Sequence, residues 1–181
     1  MLHSTMFSIW LIPELPFQGQ LQSHINELAA KYDAPTFPPH VTLFCGGTND
    51  MDQTKVYLEK LFKNISKISL VATSVEATQE YYKTLFVQFK SDPVLVKLCD
   101  TVKQNVDPRS EYEINPHLSL FYKDMPIEEK RALTEITWTK VLDYIPPNKT
   151  LTFDTIKLMS NTEKEGPDAV KNWRILKSFN L

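Results

Sequence analysis

Cysteine is nearly absent: the 181 residues hold only Cys45 and Cys99. Two cysteines in different predicted elements cannot build a disulfide framework and match no metal spacing. Both are expected to be reduced and partly buried, as in a reducing compartment such as the cytoplasm. Long hydrophobic runs are missing too. The longest apolar stretch near the start, Met6-Phe7-Ser8-Ile9-Trp10-Leu11-Ile12, is far too short to span a bilayer. No Lys or Arg precedes it, and Pro13-Glu14 follows instead of a small-residue cleavage site, so it reads as a strand and not a signal peptide. There is also no basic excess. Lys plus Arg total 20 and Asp plus Glu total 22, a formal net charge of −2. A protein that grips long nucleic acid must neutralise several phosphates at once. This balance argues for a small ligand over a polymer, and against a membrane partner.

Hydrophobic residues make up 42% of the chain, enough for a real core. The length suits one domain, 1–181, or two small lobes packed together. Alternation and helical spacing predict strands over 6–12, 40–44, 68–78, 84–90, 117–122, 150–159 and 172–179. They predict helices over 18–32, 51–64, from 93 onward, and from Pro126 to about Val141. Gly46-Gly47 is expected to end the second strand, and Gly166-Pro167 to lie in a polar loop between the last two. In the first strand Phe7, Ile9 and Leu11 take one face and Ser8, Trp10 and Ile12 the other.

A helix, a proline-terminated loop and a His-led strand occur twice. This regularity predicts an α+β fold of two similar lobes with a groove between them. The two strands begin Pro39-His40-Val41-Thr42-Leu43 and Pro116-His117-Leu118-Ser119-Leu120. Residues i and i+2 of a strand share a face. His40 and Thr42 therefore point together, as do His117 and Ser119, while Val41, Leu43, Leu118 and Leu120 face a core. His3-Ser4-Thr5 matches the loose spacing but lacks the proline and the apolar positions, and His24 lacks the hydroxyl.

These residue types suit phosphoester hydrolysis. One imidazole takes a proton from water and the other protonates the departing oxygen, both near neutral pH. The hydroxyls can donate to non-bridging phosphate oxygens, where charge builds up. Neither strand offers a second His, Cys or carboxylate at i+2, so no metal or other cofactor is expected. The residues leave open which His is acid and which is base.

The paired motifs resemble those of the 2H phosphoesterase superfamily, and most closely the plant and yeast cyclic phosphodiesterases. The resemblance runs through Ser8-Ile9-Trp10-Leu11-Ile12-Pro13, Phe37-Pro38-Pro39-His40-Val41-Thr42, Pro116-His117-Leu118-Ser119-Leu120-Phe121-Tyr122 and the stretch from Leu158 through Trp173 to Leu181. It implies two pseudo-symmetric antiparallel sheets flanked by helices, with the motifs facing across a central cleft. It implies hydrolysis of ADP-ribose 1″,2″-cyclic phosphate, a by-product of tRNA splicing, and of nucleoside 2′,3′-cyclic phosphates to 2′-phosphates. His40, Thr42, His117 and Ser119 are then the catalytic set, with His117 activating water and His40 protonating the leaving oxygen. Tyr122 becomes a further ligand contact, although its strand parity opposes that of His117 and Ser119. Trp10 and Tyr82 line the cleft, where a core aromatic and a loop aromatic are the alternatives. The chain departs from the plant enzymes at Gln79-Glu80-Tyr81-Tyr82-Lys83, where they carry a run of aromatics, and in loop 107–116, which has no cysteine for their redox-sensitive bridge. A monomer acting on a small molecule is expected. The rival functions are an RNA 2′,3′-cyclic or oligonucleotide phosphodiesterase of the same superfamily, and a non-catalytic nucleotide-binding module.

Overall fold

The structure is a computed structural model that describes residues 4–146, 148–161 and 167–181. Among the described residues, seven strands and six helices follow in the order β1 (Thr5–Pro13), α1 (Phe17–Tyr32), β2 (Val41–Thr48), α2 (Met51–Phe62), β3 (Ile68–Glu76), β4 (Leu85–Phe89), α3 (Pro93–Val106), β5 (His117–Phe121), α4 (Ile127–Ala132), α5 (Thr134–Leu142), β6 (Thr150–Ser160), α6 (Pro167–Asn172) and β7 (Arg174–Asn180). A single 3-10 turn, Tyr81–Lys83, sits between β3 and β4.

Local chemistry explains the helix ends. Asp50 caps α2 by accepting from the Gln53 N–H, and Asp92 caps α3 by accepting from Val94 and Leu95, with Pro93 in the first turn. The helix expected from Pro126 is instead two, α4 and α5. The Leu133 N–H bonds back only three residues, to the Lys130 carbonyl, and the Thr134 hydroxyl takes the carbonyl of Arg131. This tightening breaks the axis. A further correction concerns the C-terminal stretch read as loop, where α6 occupies residues 167–172. Gly166, expected in that loop, lies outside the described residues.

The second strand does not stop at its glycines. Met6 pairs with Gly47 and Phe7 with Gly46, so β2 runs on to Thr48. A Cβ on Gly46 would lie 2.7 Å from the Phe44 ring. Close packing, not chain reversal, is the reason for glycine there.

All pairings are antiparallel, in the order β1-β2-β5-β4-β3-β6-β7, and β1 also pairs with β6. The two antiparallel sheets that the resemblance implies are thus hydrogen-bonded into one network. Four register pairs join β3 to β6, and one joins β2 to β5: Val41 with Leu118. β1 is covered on both faces. Phe7, Ile9 and Leu11 enter the main core, while Trp10 and Ile12 pack with Met159 and Trp173 on the other side. Val41, Leu43, Leu118 and Leu120 join the main core, as the alternation requires. Among the described residues, no helix is long and apolar enough to cross a membrane.

Candidate active site

The Val41–Leu118 pair adjoins both histidines. In an antiparallel ladder, carrying that register one step each way sets His40 opposite Ser119 and Thr42 opposite His117. Since Val41 and Leu118 face the core, the four polar side chains occupy the opposite face. There they line a cleft of about 370 Å³. The two motifs are therefore neighbours on adjoining strands, not groups on the far walls of a wide groove.

The cleft is also lined by Trp10, Tyr82 and Tyr122, so it gathers all seven residues singled out in the sequence. β5 ends at Phe121, which frees Tyr122 from strand alternation. Its ring stacks on Phe37 at 3.9 Å, 3% exposed, and burial raises its phenol pKa. Tyr82 is exposed. Its carbonyl accepts the Ser119 hydroxyl at 2.8 Å, which ties the 3-10 turn to the second motif. Thr42 is half-buried, and its carbonyl accepts the Tyr112 hydroxyl at 2.9 Å.

Both histidines are anchored in the same way. Nδ1 of His40 lies 2.7 Å from the Pro38 carbonyl, and Nδ1 of His117 lies 2.7 Å from the Asn115 carbonyl. A carbonyl only accepts, so Nδ1 carries the proton of the neutral ring and Nε2 is left with the lone pair. In each motif the intervening proline restrains the backbone that presents this carbonyl.

Their surroundings differ. His40 is 6% exposed and stacks flat on Trp10, with centroids 3.6 Å apart and planes 9° apart. Trp173 and Phe37 meet it edge-on. Burial pulls its pKa down to about 4; the Pro38 carbonyl opposes this and the nearby His117 adds to it. His117 is half-buried, and the Phe86 ring meets it edge-on. Its pKa is also lowered, first by burial, with the Asn115 carbonyl opposing, Lys83 lowering it further and Glu80 raising it.

Sequence reasoning missed Ser8, Cys45, Glu80, Lys83, Asn161 and Trp173, which also line the cleft. Strand parity carried a signal for Ser8, which shares a face with Trp10. Trp173 and Asn161 arrive from distant elements and left none. The Ser8 hydroxyl donates to Asn161 Oδ1 at 2.9 Å. Both cysteines are free, and burial pushes the Cys45 thiol up to about 12, so it stays protonated. Among the described residues, no group of three or more His, Cys, Asp or Glu is placed to hold a metal ion.

A family of cyclic phosphodiesterase-like proteins matches residues 6–181. The chain belongs to this family. It is accordingly a phosphodiesterase of the 2H phosphoesterase superfamily. It is 21% identical over 134 residues to the cyclic phosphodiesterase of Arabidopsis thaliana, covering 74% of each protein. Among solved structures it is similar in fold to E. coli LigT complexed with 3′-AMP, with a TM-score of 0.57, 14% identity and 99% of each chain covered. Usb1 of Kluyveromyces marxianus also shares the fold, with a TM-score of 0.50, 14% identity and coverage of 95% of this chain and 97% of that one.

Proposed function

We propose that this phosphodiesterase hydrolyses small cyclic phosphate esters by two-histidine acid–base catalysis without a metal. The substrates are ADP-ribose 1″,2″-cyclic phosphate, opened to ADP-ribose 1″-phosphate, and nucleoside 2′,3′-cyclic phosphates, opened to 2′-phosphates. The observation that carries this reading is the Val41–Leu118 register, which sets each histidine opposite the other motif's hydroxyl residue. A phosphate seated over this quartet meets an imidazole on either side and a hydroxyl beside each.

In the reaction Nε2 of one histidine takes a proton from water as the water oxygen bonds to phosphorus. The ring P–O bond breaks, and Nε2–H of the other histidine protonates the leaving ribose oxygen. The hydroxyls of Thr42 and Ser119 donate to the non-bridging oxygens. Ser119 does so by turning away from the Tyr82 carbonyl that its hydroxyl bonds.

Burial biases both imidazoles toward the neutral form, and a phosphate anion beside them raises both pKa values. The family resemblance assigns His40 as the acid; the indole face under its ring favours an imidazolium there by a cation–π contact, against the burial that lowers its pKa. His117, with wider access to solvent, is assigned as the base that activates water. The size of the cleft, and its lining by a single lysine among the described residues, favour a nucleotide or ADP-ribose derivative over an RNA strand. Monomeric action, in a reducing compartment such as the cytoplasm, is part of the proposal.

The test is to incubate the pure protein with ADP-ribose 1″,2″-cyclic phosphate and the four nucleoside 2′,3′-cyclic phosphates, in EDTA, and to follow the products by phosphorus NMR. Ring opening to the 1″- or 2′-phosphate is expected. Retention of all five substrates intact would overturn the proposal.

A further inference from the structure

The turn at Gln79-Glu80-Tyr81-Tyr82-Lys83 places one cation at the catalytic cleft. Of the described residues lining the cleft, Lys83 alone is a lysine or arginine. Its side chain is 27% exposed, and its ammonium lies 3.8 Å from the Glu80 carboxylate, too far for a hydrogen bond. This loose pairing leaves the charge free to move onto a better acceptor.

The backbone beneath it is held firmly. The Lys83 carbonyl accepts from both the N–H and the hydroxyl of Thr78, at 3.1 and 2.8 Å. The Lys83 N–H returns to the Glu80 carbonyl at 3.1 Å. The Thr78 carbonyl in turn takes the ammonium of Lys130, a fully buried lysine on α4. On the other side the Ser119 hydroxyl reaches the Tyr82 carbonyl, which places the turn beside the second motif. A flexible four-carbon stem on so fixed a base delivers a point charge to a defined place.

The reaction needs such a charge. A cyclic diester carries one negative charge, and the ring-opened monoester carries nearly two at neutral pH. The two histidines exchange protons but bring no lasting positive charge, and Glu80 repels an anion. We infer that Lys83 is a substrate-contacting residue, whose ammonium leaves Glu80 to hold the phosphate beside His117 as its second negative charge develops. The lowering of the His117 pKa by Lys83 is consistent with that closeness. The inference rests on the cyclic phosphate reading of the same cleft and adds to it a residue that lies outside the two motifs.

The experiment compares Lys83→Met, Lys83→Arg and Glu80→Gln in the full chain, with a nucleoside 2′,3′-cyclic phosphate as substrate and its 2′-monophosphate product as inhibitor. Lys83→Met is expected to lower kcat/KM by roughly ten- to a hundredfold, as for a lost bond to a charged group. It should weaken product inhibition by a larger factor than it raises KM, because the product carries more charge. Its His117 limb in the pH–rate profile should move to higher pH. Lys83→Arg should keep most of the activity, and Glu80→Gln should tighten product inhibition. Lys83→Met within twofold of wild type in an active enzyme, or Lys83→Arg as impaired as Lys83→Met with product inhibition unaltered, would overturn the inference alone. A wild-type chain that neither cleaves the substrate nor binds the product would overturn the cyclic phosphate reading and this inference with it.

Discussion

The two ends of the cleft start from one short pattern and finish as different chemical environments. Each offers a proline, a histidine bonded through Nδ1 to the carbonyl two residues back, and a hydroxyl two residues on. At the His40 end the walls are aromatic: Trp10 lies flat beneath the ring, and Trp173 and Phe37 stand at its edges. At the His117 end, among the described residues, Phe86 is the one aromatic neighbour, together with the charges of Lys83 and Glu80. The duplicated pattern sets geometry and tautomer, which acid and base share. In the proposed mechanism the residues around it set which ring bears the proton, and these are not duplicated. Two groups with the same intrinsic pKa can divide an acid and a base role only in this way.

Removing either ring should have the largest effect. His40→Ala and His117→Ala are each expected to lower kcat by about 10²–10⁴-fold while circular dichroism shows an intact fold. The double variant should be little worse than the poorer single one, because the two act as a unit. Near-normal turnover in either single variant would mean that the ring takes no part.

A smaller effect should separate the two ends. Trp10→Leu removes the indole face from His40 and leaves the surroundings of His117 alone. Turnover should fall by about tenfold, the order of a desolvated cation–π contact. In NMR titrations with bound 2′-monophosphate, the His40 pKa should drop relative to wild type while that of His117 stays put. Equal movement of both would remove the asymmetry on which the roles rest.

Substrate size gives a milder contrast. In competition at moderate salt, a mononucleotide or ADP-ribose cyclic phosphate should be cleaved with higher kcat/KM than an RNA ending in a 2′,3′-cyclic phosphate. A clear preference for the RNA that weakens steeply with salt would promote the RNA-processing alternative.

The smallest effect concerns a histidine outside the cleft. His24 is buried on α1, with its Nδ1 3.3 Å from the Tyr144 hydroxyl. Burial first, and then Lys140, pull its pKa down to about 4, with Glu27 opposing. The folded form thus holds fewer protons than the unfolded chain between pH 6.5 and about 4. The stability that His24 contributes is present above the unfolded value and is lost as pH falls through this window. His40 follows the same rule. The Tm should therefore fall on acidification from pH 7 to 4, and less steeply in His24→Gln. An equal slope in the two proteins would show that His24 titrates as it does in the unfolded chain.

Much of this was legible in the sequence where periodicity governs. The alternation of Phe7, Ile9 and Leu11 against Trp10 and Ile12 assigned the two faces of β1, and the same parity placed His40, Thr42, His117 and Ser119 opposite the core-facing Val41, Leu43, Leu118 and Leu120. What periodicity cannot carry is contact between elements. That β2 and β5 meet at Val41 and Leu118 depends on long-range pairing. So does the arrival of Trp173 from the C-terminal hairpin. Gly46 and Gly47 misled because glycine serves close approach as readily as turning, and only packing tells the two apart. Lys83 went unnoticed because a single lysine in a polar turn looks like solvated surface until the turn is seen against Ser119.

The most direct test of two-histidine catalysis is the pH dependence of kcat/KM for a nucleoside 2′,3′-cyclic phosphate, measured in excess EDTA. The account predicts full activity in the chelator and a bell-shaped profile, because one imidazole must be neutral while its partner is charged. A rate that climbs steadily from acid to alkaline pH, or activity abolished by EDTA and restored by zinc or manganese, would contradict it.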